Sequence, residues 1–174
     1  YLKEIRGVEY AIFAAGTAKS ILKQIKELKK LNKKVKIVFD PGQMLAIDFT
    51  KEILEDCLKN SDLVILNDVE CNFLHNHFGF DLRVIFSLGV TGLVETKGAD
   101  GSVFHERVSG ILKQTIVPVK KAKKVVDPTG AGDAFRAGFI SSLLKGKSVK
   151  EAMALGNKMG ALCVQSSGGQ NYKI

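Results

Sequence analysis

VVDPTGAGDAFRAGF, Val125–Phe139, is the stretch from which the fold can be read. It sets Gly130 and Gly132 on either side of Ala131, follows at once with Asp133, and then runs into an apolar helical pattern. Glycine adopts positive φ easily and lets a ligand touch the backbone. The N–H groups of Gly130, Ala131 and Gly132 would point off the start of the helix. Free donors and the positive end of the helix dipole favour an anion such as phosphate there. A carboxylate at Asp133, in the first turn beside that pocket, is placed to take a proton from an attacking hydroxyl while the N–H groups hold a transferring phosphoryl group. The plainer alternative is a strand-to-helix turn in which Asp133 is only a first-turn acid, and the turn by itself leaves both open. Two other nucleotide patterns are missing. There is no GxxxxGK[ST], and glycines at 130, 132 and 138 do not make GxGxxG.

Around this stretch the chain has 174 residues, enough for one domain with a real core. Apolar residues make up 45% and charged residues 25%, the balance of a soluble globular protein. No run approaches the roughly 18 apolar residues of a membrane helix, and no secretory leader pattern opens the chain. Cys57, Cys71 and Cys163 form neither a CxxC pair nor a zinc pattern, so they read as reduced, small buried hydrophobes of a cytoplasmic protein. Net charge is +8, much of it between Lys19 and Lys36 and at Lys120, Lys121, Lys123 and Lys124. The first group lies opposite Ile21, Leu22, Ile25, Leu28 and Leu31 at helical spacing, which makes it a solvated helix face. With no Trp and three Tyr, the aromatic platforms of a nucleic-acid binder are missing. The chain starts at Tyr1 rather than Met, so it is expected to begin within a longer polypeptide.

Short β-like runs alternate with helical ones. Strands are expected at Tyr10–Ala14 (buried), Val35–Phe39, Leu63–Leu66, Leu93–Thr96, Ser102–His105 and Ile116–Val119. Helices are expected at Thr17–Leu31, Thr50–Leu58, Asp68–Phe78, Asp133–Lys145 (apolar nearly all round, hence buried) and from Ser148 or Lys150 to about Gln165. Arg83–Phe86 is ambiguous and favoured as a short helix. His75 and His77, two residues apart on a helix, face different ways and do not make a metal pair; His105 stands by itself. This alternation predicts an α/β fold with a mostly parallel sheet and helices on both faces. Ligands of such sheets lie at the carboxyl ends of the strands, which draws attention to Asp40-Pro41-Gly42, Asn67–Glu70, Thr96–Gly98 and Asp127–Asp133.

DPTGAGDAFRAGF resembles the C-terminal signature of the ribokinase-like kinases, the phosphofructokinase-B superfamily of sugar and nucleoside kinases. Three further pieces follow in that family's order: LNDVE (Leu66–Glu70), ETKGADGSVF (Glu95–Phe104) and LGNKMGALCVQSSGGQ (Leu155–Gln170). The resemblance covers nearly the whole chain. It implies a ribokinase-like three-layer α/β/α sandwich, with ATP and Mg2+ as cofactors and a K+-like cation in addition. It implies Asp133 as catalytic base and Gly130, Ala131 and Gly132 as anion hole. Asn67 and Glu70 would organise magnesium, the alternative being a helix cap with its first-turn acid. Thr96, Lys97, Gly98, Asp100 and Gly101 would line the nucleotide, or form a plain hairpin turn. Asn157 would lie near the nucleotide's base or ribose, or be a polar surface residue. Asp127 and Thr129 would bind the monovalent cation with carbonyls of the Ser166–Gly169 turn.

The departure is length. Members of the family run to about twice this size, and residues 1–174 match the second half, the nucleotide-binding and catalytic portion of a single kinase domain. The N-terminal part and lid, which carry most of the substrate contacts, are absent from the match, so this portion is expected to be inactive by itself. FDPGQ at Phe39–Gln43 and SSGGQNY lean toward nucleoside kinases, with ribose or fructose kinases as the alternative. The expected partner is a small-molecule substrate, with no nucleic acid and no membrane; a homodimer is the assembly considered. Three other classes compete: a non-catalytic nucleotide-binding regulator, which loss of Asp133 would have marked; a basic nucleic-acid binder, marked by steep salt dependence; and a dinucleotide oxidoreductase, disfavoured by the glycine spacing.

Overall fold

A computed structural model describes residues 5, 7–14 and 16–172. Six strands form one sheet in the order β1-β2-β3-β4-β5-β6, each beside its sequence neighbour. The chain groups into two compact units. One runs as far as Thr96 and takes in His105–Gln114; the other holds Lys97–Phe104 and the chain from Thr115 onward.

The first unit alternates strand and helix: β1 (Tyr10–Ala14), α1 (Ala18–Leu31), β2 (Lys36–Asp40), α2 (Leu45–Asp48), α3 (Lys51–Lys59), β3 (Leu63–Asn67), α4 (Asp68–Phe73), α5 (Leu82–Ser87) and β4 (Gly92–Thr96). Strands β1 to β4 are parallel, with Ala14 opposite Asp40 and Asn67 opposite Thr96 at their carboxyl ends. The central strands are β-branched and aromatic runs. Ile37, Val38, Phe39, Val64, Ile65 and Leu66 are all buried, as expected of parallel strands covered on both faces. Helix α1 buries Ala18, Ile21 and Ile25 and leaves its lysines outward; Leu31, expected on the apolar face, is exposed at the helix's last residue. Its first N–H, on Ala18, donates to the Asp48 carboxylate at the end of α2, while Thr17 makes no side-chain cap.

Several expectations are corrected. Strand β1 is half-buried rather than buried, with Ile12 38% exposed, because it stands at one edge of the sheet order. Strand β2 runs one residue further than expected and takes in Asp40, which is buried. Helix α2 was not read from the sequence, since four residues after a Pro-Gly turn carry too little periodicity. Asp68–Phe78 is helical throughout, but its last five residues, Leu74–Phe78, are wound as a π-helix that ends at Gly79 with φ 74°. The ambiguous Arg83–Phe86 segment is helical, capped by Asp81 accepting from Val84 N at 2.9 Å. His105 is not by itself: it is buried, with Nε2 2.9 Å from the Glu95 carboxylate.

Strands β5 (Ser102–Val108) and β6 (Ile111–Val117) are longer than expected, and β6 begins five residues earlier. The two-residue link, Ser109 (φ 51°) and Gly110 (φ 84°), makes them an antiparallel hairpin. No helix among the described residues is long and apolar enough to cross a membrane.

The second unit is dominated by α6 (Ala131–Leu144) and α7 (Val149–Cys163). Helix α6 starts two residues earlier than expected, and it is buried on one face rather than all round; Ala137 and Leu144 are exposed. Gly146 ends it, and α7 opens with a capping box in which Ser148 and Glu151 satisfy each other's N–H groups. The two helices meet through glycines. A Cβ on Gly138 would lie 3.1 Å from the Gly156 Cα, and one on Gly156 would lie 2.9 Å from the Phe135 ring and 3.0 Å from its carbonyl oxygen. On an open helix surface Gly→Ala gains about 1 kcal/mol from helix propensity. At Gly156 the steric cost, about 1–3 kcal/mol for overpacking, reverses the sign. Gly156→Ala is expected to lower the denaturation midpoint at unchanged m-value; a raised midpoint would show that the helices separate freely.

Candidate active site

The second unit brings together the stretch with which the sequence reading began. Asp127 clips two glycine turns to each other. Its Oδ1 accepts from Thr129 N at 2.9 Å and its Oδ2 from Gly168 N at 2.9 Å. The Thr129 hydroxyl and N–H, with the Gly168 N–H, hold the Asp127 carboxyl below its ordinary range. The clip is close enough that the backbones touch: a Cβ on Gly130 would fall 2.6 Å from the Gly169 Cα, and Gly130 has φ 81°. Beneath the turns lies Cys163, fully buried, with Sγ 3.5 Å from both the Thr129 and Gly169 carbonyl oxygens. Burial pushes its thiol up, and the charges of Asp127 and Asp133 push in the same direction.

From Gly130 the chain enters α6. The Ala131 N–H closes a turn to the Pro128 carbonyl at 3.2 Å, and Gly130 O accepts from Ala134 N at 2.9 Å. The N–H groups of Gly132 and Asp133 have no hydrogen-bond partner among the described residues, the usual state of a helix's first turn. Asp133 is exposed and paired through Oδ1 with Arg136 Nη2.

The other expected nucleotide contacts of this unit meet at one segment. Lys97, Gly98, Asp100 and Gly101 form a tight turn, with Lys97 N to Gly101 O at 2.8 Å and Gly98–Asp100 in a single 3₁₀ turn. At φ 92° Gly101 lies against the end of β6 and the chain after it: a Cβ there would overlap Val117 O and sit 2.9 Å from Val119 N. Asn157, on α7, reaches the same place from the other side. It is buried, not a surface residue, and Nδ2 donates to Val117 O at 2.8 Å. Beside these residues opens a cleft of about 540 Å³. Val119, Ala154, Ala161 and Leu162 supply apolar wall, and Lys120, Lys121, Lys123 and Lys158 supply positive charge. Gln165 closes one end, its Oε1 accepting from Lys123 N at 3.3 Å.

In the first unit, Asn67 and Thr96 face each other at the carboxyl ends of β3 and β4. Asn67 caps α4: its Oδ1 accepts from Glu70 N and Glu70 Oε2 accepts from Asn67 N, both at 2.8 Å. The cap alternative is therefore realised. It also fixes the Glu70 carboxylate at the strand end, with part of its acceptor capacity committed. Thr96 Oγ1 lies 3.5 Å from Leu66 O. Among the described residues no group of three or more His, Cys, Asp and Glu could hold a metal ion. A Mg2+ ion, which prefers few carboxylates and several waters, fits the single fixed Glu70 better than an all-protein cage would. For a monovalent cation the donors fit in part: the carboxylate of Asp127 retains lone pairs, but the carbonyls of Thr129 and Gly169 already face the Cys163 thiol.

The resemblance brings Asp127 to the Ser166–Gly169 turn as a cation site, not as the hydrogen-bonded clip to Gly168; the Arg136 pair, Cys163 under the turns and Gln165 at the cleft are not foreseen from sequence. The lysine run before Val125 reads from the sequence only as a block of charge, and Lys120, Lys121 and Lys123 of it line the cleft.

Residues 3–174 match the model of the pfkB family of carbohydrate kinases, and the chain belongs to that family. It is 34% identical over 134 residues to a nucleoside kinase of Methanocaldococcus jannaschii, covering 77% of this chain and 42% of that protein. It is also 34% identical over 152 residues to an uncharacterized sugar kinase of Archaeoglobus fulgidus, covering 81% and 57%. The fold matches the Burkholderia thailandensis nucleoside kinase in complex with ADP-inosine at TM-score 0.86 and 29% identity, over 98% of this chain and 51% of that one. The fold is thus ribokinase-like, α/β with a mostly parallel sheet. The chain spans about half the length of the curated relatives it matches.

Proposed function

We propose that this chain is the nucleotide-binding and catalytic portion of a cytoplasmic, ATP-dependent small-molecule kinase whose acceptor is a nucleoside. The observation that carries the reading is the Gly130–Asp133 corner. Two glycine turns are clipped by Asp127, two N–H groups have no partner among the described residues, and a carboxylate sits on the same helical turn. In the reaction the acceptor's hydroxyl gives its proton to Asp133 as its oxygen bonds to the γ-phosphorus. The bond from that phosphorus to the β,γ-bridging oxygen breaks, and ADP leaves with the electron pair. Gly130 and the N–H groups of Gly132 and Asp133 form the anion hole, with Ala131 holding the turn. Charge stabilisation of this kind supplies most of the catalysis in phosphoryl transfer. The turn Thr96–Gly101, Asn157 and the lysine-lined cleft take the nucleotide. Asn67 and Glu70 would hold Mg2+ through its waters, and the metal when bound neutralises the phosphate charge. Asp127 and Thr129 would hold K+.

The nucleoside reading is supported by the archaeal and Burkholderia relatives; the Archaeoglobus sugar kinase supports the second reading, a sugar acceptor. The test is ADP release by the complete gene product with ATP, magnesium and potassium across nucleosides and sugars. One strong nucleoside acceptor is the expected result. A strong sugar acceptor would replace the substrate class. Silence across the panel with ATP still bound would turn the reading into a nucleotide-binding regulator.

A further inference from the structure

Helix α6 carries an ion pair unlike the other helical ones. Lys23–Glu27, Lys59–Glu55 and Lys147–Glu151 are exposed at both ends, at 75% and 58%, at 48% and 36%, and at 56% and 56%. Such pairs are screened and loosely held. In Arg136–Asp133 the guanidinium side chain is 18% exposed and the carboxylate 79%. The buried partner is thus the fixed one, and the exposed partner is the group it presents. The guanidinium also reaches past the pair. A Cβ on Gly132 would lie 3.8 Å from Arg136 Nη1, so the guanidinium packs over the side-chain face of Gly132 while Nη2 takes Asp133 Oδ1. A single planar cation therefore lies over Gly132 and grips the proposed base. Arginine keeps its charge at any working pH and its donors sit in a rigid fork. It fixes the direction of a carboxylate in a way that a lysine's point charge does not.

The geometry points to Arg136 as a positioning residue for phosphoryl transfer. It holds Asp133 by Oδ1, so that Oδ2 is the oxygen that meets the acceptor hydroxyl. This rests on the kinase reading above and on Asp133 as its base. A carboxylate free to rotate through its side-chain rotamers would reach the productive direction only part of the time, so the loss falls on turnover rather than on binding.

The test compares Arg136→Ala, Arg136→Lys and Asp133→Asn in the complete gene product with its best acceptor. Arg136→Ala is expected to lower kcat about tenfold or more, with KM for ATP and acceptor changed by less than about threefold. Arg136→Lys should recover part of the loss. Guanidinium ion at non-denaturing concentration should raise the turnover of Arg136→Ala and leave Asp133→Asn unmoved. Unchanged kcat in Arg136→Ala, beside a crippled Asp133→Asn, would overturn the positioning role and leave the kinase reading standing. A fall in kcat that tracks a lowered melting temperature in both Arg136 variants, with no guanidinium rescue, would make Arg136 structural only and also overturn it. Full turnover in Asp133→Asn would remove the base, and the role of Arg136 with it.

Discussion

Asp133→Asn is expected to lower turnover by on the order of 10²-fold or more, with nucleotide affinity and melting temperature preserved. The side chain is 79% exposed, and an isosteric amide keeps an oxygen that can still accept from Arg136, so α6 stays formed. What the amide lacks is proton affinity. An Asn cannot take the acceptor's proton as the new P–O bond forms, and the charge that steers the hydroxyl is gone. The checks are steady-state kinetics with a saturating acceptor, calorimetric titration with a non-hydrolysable ATP analogue, and a thermal melt. Wild-type turnover in the variant would remove Asp133 from the mechanism and return it to the plain role of a first-turn acid.

Gly130→Ala is expected to damage both stability and activity, by about 2–4 kcal/mol and by about 10²-fold or more in turnover. Two independent effects add here. The left-handed backbone, φ 81°, strains any residue with a Cβ. The new methyl would also lie 2.6 Å from the Gly169 Cα and 3.0 Å from its carbonyl oxygen. Both are backbone atoms, so no side chain can swing away, and the turns must part. Parting them pulls Gly168 from Asp127 and shifts the start of α6, where the unpartnered N–H groups lie. The reciprocal variant, Gly169→Ala, should be milder, because its nearest contacts are 3.1 Å and its backbone needs no positive φ. Melting curves and turnover measured together decide the matter. An unperturbed melt in Gly130→Ala would mean that the two turns are not held in contact.

What could be read from the sequence was what is local. The period-two and period-3.6 runs fixed β1, α1, β3 and α7 to within two residues, and the Asn67–Glu70 spacing offered the capping box as one of its two readings. Helix α2 and the Ser109–Gly110 hairpin escaped because their signals span four residues or fewer. Edge exposure of β1 depends on sheet order, which no single strand carries. The same limit applies to the site. Gly-Ala-Gly-Asp announces a glycine-opened helix start, which the proposed function reads as an anion site. Its second wall comes from Gly168 and Gly169, and Asn157 is turned inward by a carbonyl at Val117; both are contacts across long stretches of chain. Arg136 lies three residues from Asp133 and was within reach of helical spacing. Burial, which separates it from an ordinary surface pair, is not visible in a string of letters.

The contact between Gly130 and Gly169 also sets an order in time. Asp127 finds its partner 41 residues further along the chain. During synthesis the strands of the first unit can pair with their sequence neighbours as they emerge, while the Gly130 corner stays unwalled until Gly169 has left the ribosome. Phosphate binding by a nascent chain should therefore appear late and abruptly, long after the sheet has begun to form.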